Sequence, residues 1–284
     1  MDGSPLVSTE WLQANLHAPD LVLLDASWHM PATGRDGALE FLQERIPGAR
    51  FFDFDRRICD SGAGLPHMLP SPEVFAAEVR ALGVGKHSRV VCYDSAGVFS
   101  SPRAWWMFHA MGHVTVAVLD GGLPAWKAAG LPLTSGRFEA PESGDFESSP
   151  VAARVADRAQ VRAALADPGV VVLDARSPGR FAGRDPEPRA GLRAGHMPGA
   201  RNLPFGNLLS AGRFRAPDEL AALFAEQAGL QQRLLCTCGS GVTACVIALA
   251  AELAGRGGAA VYDGSWADWG ARSDSLGCPV ACDP

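Results

Sequence analysis

An internal repeat constrains this chain more than any other feature of its sequence. Leu23-Leu-Asp-Ala-Ser27 is echoed by Val172-Leu-Asp-Ala-Arg176, and Arg45-Ile-Pro-Gly-Ala-Arg50 by His196-Met-Pro-Gly-Ala-Arg201. Ser71-Pro-Glu and Ala216-Pro-Asp each lead into an apolar periodic run, and Leu119-Asp-Gly-Gly122 returns as Tyr262-Asp-Gly-Ser265. The order is the same in both halves. The offset drifts only from 151 residues (Pro47 to Pro198) to 143 (Leu119 to Tyr262), as loop insertions produce. A chain of 284 residues suits two domains of about 140 residues each. The boundaries expected from the repeat are 5–135 and 153–284, with a Ser-, Gly-, Pro- and Glu-rich connector over 136–152.

Each half alternates short apolar runs with helical periodicity. Val170–Leu173, Leu234–Thr237 and Ala259–Tyr262 have the continuous apolar character of strands buried on both faces. Between them, Pro217 opens a helix whose apolar positions are Leu220, Leu223 and Phe224, and Gly229 stops it. Pro72, then Phe75, Val79 and Leu82, then Gly83 repeat that pattern in the first half. The alternation predicts an α/β fold: two tandem domains, each a parallel sheet flanked by helices.

Composition removes several classes of function. With 47% hydrophobic residues the chain has enough apolar content to form cores, which excludes disorder. Its net charge of −6 argues against nucleic acid or an anionic membrane as partner. The longest near-continuous apolar stretch, Val242 to Ala251, falls short of the ~20 residues that span a bilayer. The start, Met1-Asp-Gly-Ser-Pro5, shows no basic and apolar leader, so a cytoplasmic protein is expected. Seven cysteines, an odd number, fit no disulfide scaffold, and none has zinc-knuckle spacing, so no metal site is expected. Cys92 and Cys236 lie within apolar strands and read as small hydrophobes. Cys278 and Cys282 fall in a short tail that reads as surface.

Cys238 is different. Leu234-Leu-Cys-Thr-Cys-Gly-Ser-Gly-Val-Thr243 runs from strand into a tight loop and then into a helix expected from about Val242. The cysteine stands just past the carboxyl end of a parallel strand, where open α/β sheets bind their ligands. Gly239 and Gly241 let the backbone curl so that successive N–H groups point inward, and the helix adds its positive end. Such a cradle favours a thiolate over a thiol. In the first half, 144 residues earlier, Asp94 occupies the same place, and a carboxylate is no sulfur nucleophile. One half is therefore expected to carry the chemistry and the other to support it.

Thr237-Cys-Gly-Ser-Gly-Val-Thr-Ala-Cys245 followed by Val261-Tyr-Asp-Gly-Ser-Trp266 resembles the active half of the tandem rhodanese-domain sulfurtransferases. His67-Met-Leu-Pro70, Pro102-Arg-Ala-Trp-Trp-Met107 and Gly195-His-Met-Pro-Gly199 extend the resemblance over nearly the whole chain. Both domains are then expected to be rhodanese-like. Within the family, Cys-Gly-Ser-Gly-Val-Thr resembles the 3-mercaptopyruvate sulfurtransferases, whereas thiosulfate sulfurtransferases carry Arg and Lys where this chain has Gly239 and Ser240. The resemblance makes Arg180 and Arg189 the substrate arginines, and a guanidinium fork suits a carboxylate beside a carbonyl oxygen. It makes Gly239, Gly241, Val242 and Thr243 part of the substrate-binding loop. It also implies that Asp55 and His67 act with Ser240 as a catalytic group, with Asp60 as a competitor for the aspartate's place.

The expected reaction moves the sulfur of 3-mercaptopyruvate through a Cys238 persulfide to a thiol such as thioredoxin or glutathione, or to cyanide, and releases pyruvate without a cofactor. Thiosulfate as donor is the alternative. A non-catalytic sulfur-carrier or regulatory module ranks third, because the cysteine and both arginines are present. A cysteine phosphatase of related architecture would need an arginine closing a five-residue loop, and Ala244 stands at that place.

Overall fold

A computed structural model describes residues 3–283. The chain separates into two compact units. One holds the residues up to Ser61, with Leu69–Val151 and Ala211–Phe214; the other holds Gly62–Met68, Ala152–Ser210 and the chain from Arg215 onward.

In the first unit the order is β1 (Leu6–Val7), α1 (Thr9–Asn15), β2 (Leu21–Asp25), α2 (Gly37–Gln43), β3 (Arg50–Phe51), α3 (Pro72–Ala81), β4 (Arg89–Tyr93), α4 (Ser101–Ala110), β5 (Val116–Leu119) and α5 (Gly122–Ala128). The strands form one parallel sheet in the order β1-β5-β4-β2-β3. The second unit repeats the plan. It contains β6 (Val155–Ala156), α6 (Arg158–Ala166), β7 (Val170–Asp174), α7 (Pro178–Ala182) and β8 (Arg201–Asn202). The short strands β9 (Leu209–Ser210) and β10 (Arg213–Phe214) follow, then α8 (Pro217–Gln227), β11 (Arg233–Thr237), α9 (Ala244–Leu253), β12 (Ala260–Tyr262) and α10 (Ser265–Trp269). Its sheet runs β6-β12-β11-β7-β8, the same topology strand for strand. The segment carrying β10 belongs to the first unit, where Asp120 accepts the Phe214 N–H at 3.0 Å.

The central strands β4 and β11 are buried from their second residue to their last, as strands covered on both faces must be. Cys92 and Cys236 are fully buried on them, and burial pushes both thiols far up. Helices begin where the sequence supplies caps. Ser71 accepts the Val74 N–H ahead of Pro72, and Asp157 and Gln160 form a reciprocal capping box at α6. The helix after Cys238 starts at Ala244, two residues later than the sequence indicated, because Gly241 (φ 78°) keeps the chain in the loop.

The stretch from Leu131 to Val151 has no helix or strand, yet it is tied down along its length. Thr134 and Arg45 exchange two backbone hydrogen bonds of 2.9 Å, and Phe146 and Val151 N–H groups donate to Val84 and Ala110. The Phe146 ring seats against Phe75 and Phe108 with centroids 5.6 and 6.1 Å away. It is a strap on the first unit. At the other end, Cys278 is fully buried in the second unit's core rather than on the surface, and Ala281 bridges His196. Cys282 alone of the pair is exposed. No helix among the described residues is long and apolar enough to cross a membrane.

Candidate active site

β11 delivers Cys238 to the carboxyl edge of the second sheet, next to the switch point where neighbours β7 and β12 diverge. The residue is 2% exposed. Its backbone is held from one side by α10: the Trp266 N–H donates to the Cys238 carbonyl and the Ala267 N–H to the Gly239 carbonyl, both at 2.9 Å. Ser265 completes that hold. Its hydroxyl accepts the Cys238 N–H at 3.2 Å and donates to the Tyr262 carbonyl at 2.8 Å. Ser265 is buried with φ 48°, a left-handed conformation that costs a non-glycine residue about 1 kcal/mol or more. Gly122, its match in the first unit, has φ 55°, and there a Cβ would collide with the Gly97 and Asp94 carbonyl oxygens. Sequence reading passed over Ser265; its alignment with Gly122 was the available signal.

The Ser240 and Thr243 N–H groups, and the Ser240 hydroxyl, make no hydrogen bond among the described residues. Cys245 donates its thiol to the Gly241 carbonyl at 3.2 Å and so pins the loop to the first turn of α9.

The first unit shows what this loop geometry collects. Asp94 stands after β4 as Cys238 stands after β11. Its carboxylate accepts the N–H groups of Ala96, Phe99, Ser100 and Ser101 at 2.8–3.0 Å, and the Ser101 hydroxyl at 2.7 Å. Ala96 and Phe99 match Ser240 and Thr243. The loop is built to hold a negative charge, and in the second unit the atom at that place is sulfur.

Arg180 rises from the short helix α7, whose start is capped by the Ser177 hydroxyl. Its guanidinium lies over the loop: a Cβ placed on Gly239 would be 3.0 Å from Arg180 Nη2. Glu187 grips it from behind, Oε2 to Nη2 at 2.6 Å and Oε1 to Nε at 3.2 Å. Glu187 Oε1 also takes Arg176 Nη1 at 2.9 Å. Arg176 is wholly buried, forked onto Asp174 and stacked 4.1 Å from the Trp266 ring centroid. Sequence reading used Arg176 only as part of the repeat and did not single out Glu187; a carboxylate set between Arg180 and Arg189 was the missed signal.

Arg189 is placed elsewhere: its Nη2 lies 3.3 Å from His67 Nε2. A guanidinium only donates, so Nε2 accepts and the imidazole proton resides on Nδ1. His67 is buried, with φ 62°, and groups with the second unit. Asp55 belongs to the first unit, half-buried, where its backbone carbonyl accepts the Cys59 thiol at 3.3 Å. Burial pushes that thiol up, and Asp55, Asp53 and Asp60 add to the effect. Arg184 is exposed. No cluster of three metal-ligating side chains occurs among the described residues.

A parallel sheet with such a loop, doubled in tandem and carrying a cysteine at the second loop's mouth, defines a class of protein. The chain belongs to the rhodanese-like domain family, whose model matches residues 8–129 and 157–272. Among its relatives, human 3-mercaptopyruvate sulfurtransferase is 44% identical over 276 residues, covering 94% of this chain and 92% of that protein. Thiosulfate sulfurtransferase of Bos taurus is 42% identical over 274 residues, covering 93% and 91%. The crystal structure of SseA, described as a 3-mercaptopyruvate sulfotransferase of Escherichia coli, superimposes with a TM-score of 0.85 at 35% identity, covering 93% of this chain and 99% of that one.

Proposed function

We propose that this protein is a 3-mercaptopyruvate sulfurtransferase that works through a persulfide on Cys238. The Asp94 carboxylate carries the reading: a loop of the same descent already holds an anion on its backbone N–H groups. The Cys238 thiolate attacks the donor's sulfur, the donor's C–S bond breaks, and its electron pair passes into the adjacent ketone as pyruvate enolate. A proton then gives pyruvate, while the sulfur stays on Cys238. Arg180 is assigned the donor's carboxylate and the growing enolate charge, since its Nη1 edge is turned away from Glu187. Ser240, one residue beyond Gly239 with its hydroxyl uncommitted, is assigned the proton. Arg189 is assigned to the same anion through its place beside His67, and His67, with its proton on Nδ1, to the proton chemistry. Asp55 enters on the family resemblance alone. Gly239, Gly241, Val242 and Thr243 form the binding loop. A thiol such as thioredoxin or glutathione then takes the outer sulfur, completing a ping-pong cycle that needs no cofactor.

Donor choice follows charge. Thiosulfate is a compact dianion that gains most from cations beside the sulfur, and Gly239 and Ser240 supply none. Mercaptopyruvate carries a single carboxylate, which Arg180 can fork. Seven cysteines, none paired among those described, fit a reducing compartment and a cytoplasmic location. The test is intact-protein mass spectrometry after brief exposure to each donor, with kcat/KM for both. Gain of one sulfur atom lost in Cys238→Ser, and a ratio favouring mercaptopyruvate, is the expected result; a wild type that prefers thiosulfate would overturn the donor assignment.

A further inference from the structure

Buried ionic groups behind an active-site side chain are costly unless they fix something, and this unit buries several. Arg176 has no exposed side-chain surface and Glu187 has 1%. The contacts form a closed ring. From the Cys238 carbonyl it passes through the Trp266 N–H, from the Trp266 ring to Arg176, from Arg176 to Glu187, and from Glu187 to Arg180. Arg180 then returns over Gly239, the residue next to the nucleophile. Every link lies within the second unit.

We propose that Glu187 is a positioning residue for donor binding: it turns Arg180 so that one guanidinium edge faces the donor beside Cys238. The proposal rests on the sulfurtransferase reading. Two observations carry it. Both Glu187 oxygens face the Nε–Nη2 edge of Arg180, which leaves Nη1 as the edge for a ligand. And Gly239 leaves room for that placement, since one added carbon would lie 3.0 Å from Nη2 and the guanidinium would have to shift by a few tenths of an ångström against its fork to Glu187. Arg180 is thus held between a carboxylate behind and a bare backbone below. The absence of a side chain at 239 then helps set where Arg180 lies, beyond any effect of charge.

Glu187→Gln separates positioning from charge, because the two act in opposite directions. If Glu187 only weakened the local positive field, removing its charge would improve an anionic donor's binding. If it positions Arg180, the loss of a charge-assisted fork should lower kcat/KM for mercaptopyruvate tenfold or more. The loss should overlap with that of Arg180→Ala, so that the double variant is little worse than Arg180→Ala alone. Gly239→Ala, which presses Arg180 from below and leaves the ion network intact, should lower the same parameter and guards against a Glu187 variant that fails to fold. Alkylation of Cys238 supplies a readout apart from turnover: the rate with anionic iodoacetate should fall relative to neutral iodoacetamide in both variants. An unchanged or raised kcat/KM, an effect additive with Arg180→Ala, or an unchanged alkylation ratio overturns the proposal. If the wild type does not turn over mercaptopyruvate, the parent reading fails, and the alkylation ratio still decides whether Glu187 positions Arg180.

Discussion

Cys238 and Asp94 occupy matching loops with opposite consequences, and the difference is one atom type. Oxygen of a carboxylate saturates the N–H groups around it and stops there; sulfur in the matching loop is the proposed nucleophile. Cys238→Ser should therefore lose more than nine-tenths of sulfur transfer with little change in far-ultraviolet circular dichroism, and a variant retaining a tenth would move the nucleophile elsewhere. Arg180→Ala should cost about 3 kcal/mol of transition-state stabilisation, a factor of about a hundred in kcat/KM. Arg184→Ala, at an exposed site on the same segment, should change it less than threefold.

At the scale of elements, the strand–loop–helix turn after β4 behaves as one device whose carboxylate is part of its construction. Asp94 joins the loop after β4 to the start of α4 by accepting N–H groups on both. Asp94→Ala would leave several buried donors unpaired, and urea denaturation should show a loss of about 3–5 kcal/mol. Asp94→Asn, which keeps one acceptor oxygen, should fall between the variant and the wild type. The matching prediction for the active loop concerns donor choice. Gly239→Arg with Ser240→Lys adds two cations beside the sulfur, displaces Arg180 and removes the uncommitted hydroxyl. The ratio of kcat/KM for thiosulfate to that for mercaptopyruvate should rise in the double variant, measured side by side with the wild type.

For the whole molecule, the response to pH includes two carboxyls that pull in opposite directions, Asp25 buried and Glu40 partly exposed. Burial pushes Asp25 up to about 6, with Ser27 hydrogen bonds opposing it. The folded state therefore holds a proton there that the unfolded chain releases near 4, and this group's contribution to stability falls as pH rises from 4 to 6. The change is on the order of 3 kcal/mol. Asp25→Asn should remove that slope, so that its stability relative to wild type improves between pH 4 and 6 in parallel urea titrations. Glu40 has the opposite sign: Arg35 holds it down at about 2, so its contribution is present above the unfolded value and lost as pH falls below 4. Asp174, the repeat's counterpart of Asp25, is instead forked by Arg176.

The repeat, the strand and helix alternation and the place of Cys238 were legible in the sequence because each rests on local rules. Apolar runs make buried strands, Pro and Gly punctuate helices, and a Gly-rich turn after a strand exposes N–H groups. Family resemblance added Arg180, Arg189, Ser240, His67 and Asp55 as candidates. Chain order could not show that Glu187 faces Arg180, that Arg189 faces His67, or that Arg176 lies on the Trp266 ring 90 residues away. Nor could it show that the stretch before Val151 straps the first unit, or that Cys278 is core. Those pairings depend on where long side chains end, and the energies that fix them are contacts between distant segments. Sequence by itself determined the architecture and the place of Cys238 at the end of its strand; the tertiary structure decided which charges stand behind its loop, because only packing brings a buried carboxylate to the guanidinium it holds.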